Sequence, residues 1–177
     1  MAVDVETFSL FRESLTRFVR DRLIPREKEI DRLDRPPADL FAEVREMGLF
    51  GLCYPEEYGG LALSPSQEVE VGLILGRTTP AMRNYISIHN GVAGQAIINA
   101  ATHEQKERYL PRLAAGELIG AFALTEPDTG SDARGITTRA ERTQNGWIIN
   151  GSKRFISNAP FAGLIIVMAK VNSNRAV

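Results

Sequence analysis

Apolar residues in the first 115 positions recur at the three- and four-residue spacing of amphipathic helices. From Val5 to about Leu33 they alternate with arginines and acids, which predicts a helix with one core face and one solvated face. Pro25 has no N–H to donate within a helix, so we expect a kink or a new start there. We predict four or five helices in this half of the chain.

Paired hydroxyl and amide side chains indicate where two of these helices begin. Ser64, followed by a proline and by Gln67, is the pattern of a capping box with proline at the first helical position. Thr102 and Gln105 form a second box, for a helix that Gly116 should end.

The pattern changes from helical to strand-like after Gly116. LIGAFALT is typical of a buried strand, ITTRAERT is rich in β-branched residues, and WIINGSKRFIS and LIIVMAKV indicate two further strands. Asn145-Gly146 predicts a hairpin turn. We therefore predict an α+β fold, with an all-α domain over residues 1–116 and antiparallel strands over residues 117–177.

Charge and cysteine content exclude several classes of partner. The net charge is −1, so no overall field draws the chain to nucleic acid or to an anionic membrane. Cys53 is the only cysteine, which excludes an internal disulfide and fits a reducing compartment. The sequence has neither a run of about 20 apolar residues nor a secretory-signal pattern. We expect a soluble cytoplasmic protein without nucleic-acid or membrane partners.

Several familiar motifs are approached but not completed, so we expect no metal site. A calcium loop starting at Glu126 would need glycine and glutamate where Ser131 and Thr137 stand. His103 begins a zinc-helix pattern, but Glu107 occupies the position of its second histidine. The GWIINGSKRF segment has glycines at phosphate-loop spacing within a strand-like context that does not open into a helix.

The segment AFALTEPDTGSDARG, residues 121–135, passes abruptly from an apolar run to acids, glycines and hydroxyls. An apolar strand ending at Thr125 could meet the polar rim of a flat ring, and a turn at Gly130-Ser131 could bring N–H groups to an anion. Phe155 could cover a ring face. These features together would suit a flavin nucleotide.

Four motifs in matching order resemble the acyl-CoA dehydrogenase family. They are GLFGLCYPEEYGG, HEQKERYLPRLAAGE, ALTEPDTGSDARG and GWIINGSKRFISNAP, and the resemblance covers about residues 36–170. It implies an N-terminal helical domain followed by the first part of an antiparallel β-barrel domain, with the family's C-terminal helical bundle absent from this chain.

The resemblance implies FAD as cofactor and assigns residues to it. One group follows the flavin ring and its edge, a second lies near the pyrophosphate, and a third packs on the flavin, with Ser131 also near the acyl-CoA. These are, in that order, Phe122, Ala123, Leu124 and Thr125; Gly130 and Ser131; and Phe155, Ile156 and Ser157. Phe155 stands where the family more often has tryptophan, and so loses an N–H donor.

The resemblance also implies a reaction, α,β-desaturation of an acyl-CoA thioester with hydride transfer to N5 of the flavin. The family's carboxylate base belongs to the C-terminal bundle, so we expect it beyond Val177 and expect these 177 residues alone to be an inactive fragment. Expected partners are an acyl-CoA substrate, an acceptor of the electron-transfer flavoprotein type and further copies of the chain, as a dimer or tetramer. An acyl-CoA oxidase, a flavin-dependent monooxygenase and a silent binding module remain alternatives.

Two acids in the loop are interpreted as structural. Glu126 could serve as a general base, but the resemblance argues against it. We predict that Glu126 and Asp132 instead brace the loop by accepting hydrogen bonds from backbone N–H groups.

Overall fold

The computed structural model describes residues 3–171 and 175–176, and over that part the chain is helical first and strand-rich afterwards. The helices are α1 (Val5–Phe18), α2 (Glu27–Leu33), α3 (Ala38–Glu46), α4 (Pro65–Leu75), α5 (Pro80–Ser87), α6 (Gln95–Ala100) and α7 (His103–Ala114). The strands are β1 (Gly120–Ala123), β2 (Arg139–Thr143), β3 (Gly146–Asn150), β4 (Leu164–Val167), β5 (Lys170–Val171) and β6 (Arg175–Ala176). The predicted helical-then-β architecture is confirmed.

The helix boundaries follow the local chemistry of the chain. A π-helical segment, Val19–Leu23, and a 3-10 turn containing Pro25 separate α1 from α2, so the expected restart is confirmed. Both capping boxes form, at the start of α4 and of α7. Gly116 follows α7 with a φ of +64°, a conformation that glycine adopts without steric cost.

The apolar faces of the helices meet in one main core. It includes Leu15 and Leu23 from the first helical run, Leu40 from α3 and Ile86 from α5, all at most 1% exposed. The polar faces stay in solvent, where Arg22 of the first helical run pairs with Glu43. In the described ranges, no helix is both long and apolar enough to cross a bilayer.

A second π-helical segment, Ile88–Gly94, links α5 to α6 and carries two buried polar side chains. Asn90 accepts a hydrogen bond from the Leu52 N–H and donates to the carbonyls of Leu49 and Ile86, so it fastens the loop after α3. His89, the other buried side chain, reaches β1 and is considered with the site.

The strands over the described residues form two separate sheets. β1 pairs with β4, and the second sheet has the order β3-β2-β5-β6. The β2–β3 hairpin and the β5–β6 pair are antiparallel as predicted, but β1 and β4 are parallel, as is the short β2–β5 pairing. The expectation of antiparallel pairing throughout is therefore wrong, because β1 reaches β4 by a connection of some 40 residues and not by a hairpin.

Two strand boundaries also differ from prediction. The hairpin turn lies one residue earlier than expected, at Gln144-Asn145, since Gly146 already pairs with Thr143. β3 ends at Asn150, because the residues that follow leave the hairpin and bond to the end of β1 instead.

Candidate functional site

Glu126 lies at the start of the polar loop, which is the part of segment 121–135 that follows the apolar strand. Its side chain is 3% exposed, and its carboxylate accepts hydrogen bonds from the N–H and hydroxyl of Thr137 and from the N–H of Thr138. Lys153 Nζ donates to the same carboxylate at 2.9 Å. Burial alone raises the pKa of a carboxyl, but the Lys153 ammonium and the threonine hydrogen bonds outweigh it and hold the pKa of Glu126 well below its usual range. The predicted bracing role of Glu126 is confirmed.

Asp132 does not share that role. It is exposed, and its contribution to the loop's hydrogen bonding in residues 3–171 comes from its backbone carbonyl, which accepts the Gly135 N–H at 2.9 Å. The prediction of a bracing Asp132 side chain is therefore wrong: a 3-10 turn at Ala133–Gly135 satisfies the local backbone without it.

The segment after β3 lies against the end of β1, some 30 residues earlier in the chain. Lys153 Nζ donates to the Leu124 carbonyl at 2.8 Å, and the Arg154 N–H donates to the Thr125 carbonyl at 2.9 Å. These contacts bring the predicted strand Phe122–Thr125 and the predicted segment Phe155–Ser157 into one region.

One edge of β1 has no strand beside it within the described residues. The carbonyls of Ile119 and Ala123 face β4, whereas Gly120 and Leu124 are bonded from the opposite edge. Because successive peptide groups of a strand point to alternate edges, the N–H and C=O of Phe122 face that open edge. They lie between two anchored residues and can bond to a flat ligand placed there. The Ala123 peptide faces β4, and its side chain is buried.

Phe155 combines exposure with a strained backbone. Its side chain is 79% exposed and its φ is +58°, in the left-handed region that a residue with a Cβ rarely adopts. The Arg154 guanidinium lies 4.5 Å from the ring centroid. Exposed aromatic surface held in a costly conformation is typical of a binding position. Ile156 and Ser157 follow it and line a small cavity of about 190 Å³.

Gly130 and Ser131 lie on the exposed part of the loop. A tight turn between Glu126 and Thr129, with N–H···O=C bonds in both directions, holds the loop's neck. A Cβ added to Gly130 would meet no atom within 4 Å, so the space beside this backbone is open. Both residues are therefore accessible to a ligand.

Gly120, the first residue of β1, is held from both sides by side chains. Its N–H donates to His89 Nδ1 at 2.9 Å, and its carbonyl accepts from Asn158 Nδ2 at 3.2 Å. A Cβ at this position would lie 2.7 Å from the Ala93 Cβ, so only glycine allows the π-helical segment this close. The start of β1 is thus positioned against the helical half of the molecule.

His89 is fully buried, and sequence reasoning missed it. Since Nδ1 accepts an N–H, the ring proton is on Nε2, which lies 3.1 Å from the carbonyls of both Phe50 and Leu113. Burial outweighs these carbonyl contacts and lowers the pKa of His89 to about 4. The available signal was a lone histidine among apolar helical positions, because a buried imidazole must find partners for both nitrogens.

Among the residues that the structure describes, no group of three or more His, Cys, Asp or Glu side chains could hold a metal ion. Burial raises the pKa of the Cys53 thiol to about 11, and its Sγ contacts the Asn90 carbonyl, so it is a structural cysteine. His103 is exposed and pairs with Glu107.

Comparison with known proteins identifies both halves of the chain. Residues 6–117 match the N-terminal domain of acyl-CoA dehydrogenases, and residues 121–176 match the middle domain of the same proteins.

Individual relatives agree with these matches. The chain is 32% identical over 169 residues to a mitochondrial isovaleryl-CoA dehydrogenase of Solanum tuberosum, covering 94% of this chain and 41% of that protein. It is 40% identical over 178 residues to an NADH-dependent acryloyl-CoA reductase of Anaerotignum propionicum, covering 96% and 45%. A glutaryl-CoA dehydrogenase of Mycobacterium smegmatis, solved in complex with FADH2, superposes with a TM-score of 0.86 at 30% identity, covering 99% and 46%. The chain therefore spans less than half the length of these relatives.

Proposed function

Since this chain belongs to the acyl-CoA dehydrogenase family, we propose that the open edge of β1 and the Phe155 segment hold the flavin of an FAD cofactor. The observation that supports this proposal most directly is that the N–H and C=O of Phe122 face an unpaired strand edge, between Gly120 and Leu124, which are both held by side-chain hydrogen bonds. A flavin's pyrimidine edge has both donors and acceptors, which matches the N–H and C=O presented there. The residues present therefore fit the group.

Each predicted residue has a distinct part in this proposal. Phe122 offers its N–H and C=O along the open edge, and Leu124, whose carbonyl accepts from Lys153, offers its N–H. Ala123 contributes only to the packing beneath. Thr125 adds a half-buried hydroxyl at the strand's end. Phe155 would cover a face of the ring, with Ile156 and Ser157 beside it.

The loop would hold the charged part of the cofactor. Gly130 and Ser131 are exposed and have open space beside them, so their N–H groups and the serine hydroxyl could approach a pyrophosphate. Ser131 would also approach the acyl-CoA. The rigid base that Glu126 and Lys153 provide keeps this loop in place relative to β1.

We propose that the whole protein oxidises acyl-CoA thioesters at the α and β carbons. In that reaction a carboxylate base would take the α-proton, and a bound flavin would supply the two-electron chemistry by accepting the β-hydride. This chain's residues orient the two reactants. None of them is assigned as the base, because the well-placed carboxylate, Glu126, is already committed to Lys153 and the threonines. The base is expected in the part of the relatives that this chain does not span.

Electron-transfer flavoprotein as acceptor, and assembly into dimers or tetramers, remain proposals for the whole protein. A cytoplasmic location is likewise a proposal, because several relatives are named as mitochondrial proteins and so do not share it.

A second candidate is the reverse reaction, reduction of an α,β-unsaturated acyl-CoA. The relative favouring it is the acryloyl-CoA reductase, at 40% identity. The same flavin and thioester geometry serves both directions, so the electron donor or acceptor decides between them.

Two measurements test the proposal. FAD titrated into this chain should bind, and Phe155→Ala should weaken binding more than Phe155→Trp, with Trp147→Ala on the β2–β3 hairpin as control. In the whole protein, straight, branched and aromatic acyl-CoAs added without oxygen should bleach the flavin band for a dehydrogenase. Reoxidation by air would indicate an oxidase, and reduction of an enoyl-CoA with NADH as the electron donor would indicate the reductase. Absence of FAD binding to both proteins would contradict the assignment.

A further inference from the structure

The π-helical segment Ile88–Gly94 contacts β1 at the strand's first residue, on the edge that the flavin proposal uses. His89 is the side chain that makes this contact polar. It is 0% exposed, its Nδ1 accepts the Gly120 N–H, and its Nε2 faces the carbonyls of Phe50 and Leu113. Tyr54 lies against it, its hydroxyl donating to the His89 carbonyl at 3.1 Å.

An imidazole suits this position because its two nitrogens do opposite work. One accepts from the strand, while the other faces the carbonyl of Phe50 in the loop after α3 and the carbonyl of Leu113 in α7. An apolar side chain of similar size would leave the Gly120 N–H and the Phe50 carbonyl unpaired in the core, whereas the Leu113 carbonyl would keep its bond from the Gly116 N–H. The cost of burying these two unpaired groups would exceed what the apolar side chain gains by filling the space.

The contact also sets the distance between helix and strand. Gly120 has no Cβ, and Ala93 is close enough that one would collide at 2.7 Å. The strand therefore cannot slide along its axis without breaking the His89 bond or meeting Ala93. Phe122 is two residues away on the same edge, so its peptide inherits this placement.

We propose that His89 is a positioning residue for the flavin edge: through Gly120 it sets where the Phe122 peptide meets the ligand. This inference rests on the proposed flavin site. The same bond is present without ligand, so its existence and its effect on binding can be measured separately.

Two substitutions of His89 test the two ring nitrogens separately, because each retains the hydrogen-bonding role of only one of them. His89→Asn places an amide oxygen near the Nδ1 position and keeps an acceptor for Gly120. His89→Gln reaches toward the Nε2 position and keeps a donor for the two carbonyls. A residue that only fills the core would respond to both replacements alike. The first readout is amide hydrogen exchange at Gly120, and the second is the dissociation constant for FAD.

We expect His89→Asn to keep Gly120 protected and FAD affinity within about threefold of the unmodified chain. His89→Gln should lose protection at Gly120 and weaken FAD by about tenfold or more, with the circular dichroism of the helices unchanged. Equal FAD affinity in both variants would overturn the positioning role. Protection of Gly120 that persists in His89→Gln would overturn the anchor itself.

If both variants unfold, NMR measurements on the unmodified chain still test the positioning role of His89. A scalar coupling across the hydrogen bond between the Gly120 nitrogen and His89 Nδ1 should be detectable by NMR. Saturating FAD should shift the amide resonances from Gly120 to Phe122 and the His89 ring, and unshifted resonances with FAD bound would refute the inference. If FAD does not bind at all, the flavin proposal fails, whereas the coupling still reports the anchor.

Discussion

The Lys153 ammonium lies 2.9 Å from the Glu126 carboxylate, and the two side chains are 11% and 3% exposed. The same ammonium donates to the Leu124 carbonyl at 2.8 Å. One largely buried cation thus connects the segment before Phe155 both to β1 and to Glu126 at the base of the polar loop. It joins the three parts of the chain that the flavin proposal requires.

Removing this cation should destabilise the fold. Lys153→Met leaves Glu126 buried without its counter-charge, which typically costs about 3–5 kcal/mol of unfolding free energy. Urea denaturation measures the loss, and Lys28→Met, at an exposed position, is the matched control. Pairing Lys153→Met with Glu126→Gln should recover part of the loss, since the remaining charge is then removed; a strictly additive double variant would contradict the coupling.

Glu126 should make stability fall in acid. Its folded-state pKa lies below the ordinary value of 4.5, so its contribution is present above pH 4.5 and is lost progressively as the pH falls toward the folded pKa. Thermal unfolding followed from pH 7 to pH 3 should show this decline. Glu126→Gln should be less stable at pH 7 and should lose less on acidification; parallel curves would show that other groups cause the decline.

His89 should act over a higher range of pH. Its folded pKa of about 4 lies below the ordinary 6.5, so the unfolded chain binds the extra proton first. The contribution of His89 to the unfolding free energy should be fully present above pH 6.5, and about 3 kcal/mol of it should be lost as the pH falls toward 4. Tyr54 is the titratable side chain in contact with the ring, and burial raises its pKa, so it stays neutral throughout.

Unfolding free energies at several pH values measure this loss. His103→Gln removes an exposed histidine and is the matched control. A His89→Asn protein with the unmodified pH dependence would be evidence against this origin.

Two glycine substitutions should separate folding from binding. Gly120→Ala should destabilise by about 1–3 kcal/mol or more, because its methyl group meets Ala93 at the tightest point of the helix–strand contact. Gly130→Ala has free space and an ordinary φ, so the fold should be unaffected. If the pyrophosphate approaches this backbone, Gly130→Ala should nevertheless weaken FAD binding. Isothermal titration and thermal unfolding on both variants provide the comparison; unchanged affinity in Gly130→Ala would remove that residue from the site.

Phe155 should show a conflict between stability and binding. Phe155→Gly relieves a left-handed conformation that costs about 1–2 kcal/mol for a residue with a Cβ, so unfolding free energy should stay level or rise. Phe155→Ala keeps the strain and should not gain. Both should lose FAD affinity, since the exposed ring face is gone. Equal FAD affinity in all three proteins would mean that the ring does not contact the cofactor.

The helical half was predictable because its signals are local. Capping boxes at Ser64 and Thr102, the restart at Pro25 and the stop at Gly116 depend on residues within one turn of each other. The turn chemistry at Asn145-Gly146 gave the hairpin to within one residue. The polar loop was recognised because acids and glycines directly after an apolar strand have no packing explanation.

Long-range contacts were not predictable in this way. The parallel pairing of β1 with β4, the Lys153 link to Leu124 and Glu126, and the His89 contact with Gly120 join residues separated by 27 to 44 positions. Nothing in either partner's immediate neighbourhood specifies the other. Asp132 shows the limit of local prediction. Its position in the loop suggested that its carboxylate accepts backbone N–H groups, but within the described residues Glu126 does so and the Asp132 side chain does not.

The order of residues along the chain was sufficient for the helix ends, the change to strands after residue 116 and the family resemblance, because each depends on short-range chemistry or on motifs read in order. Which edge of β1 stays open, and therefore which peptide can meet a ligand, required the folded molecule. β4 covers one edge of β1, and His89, Asn158 and Lys153 bond to the first and last residues along the other edge. These residues come together only when the helical half packs against the strands.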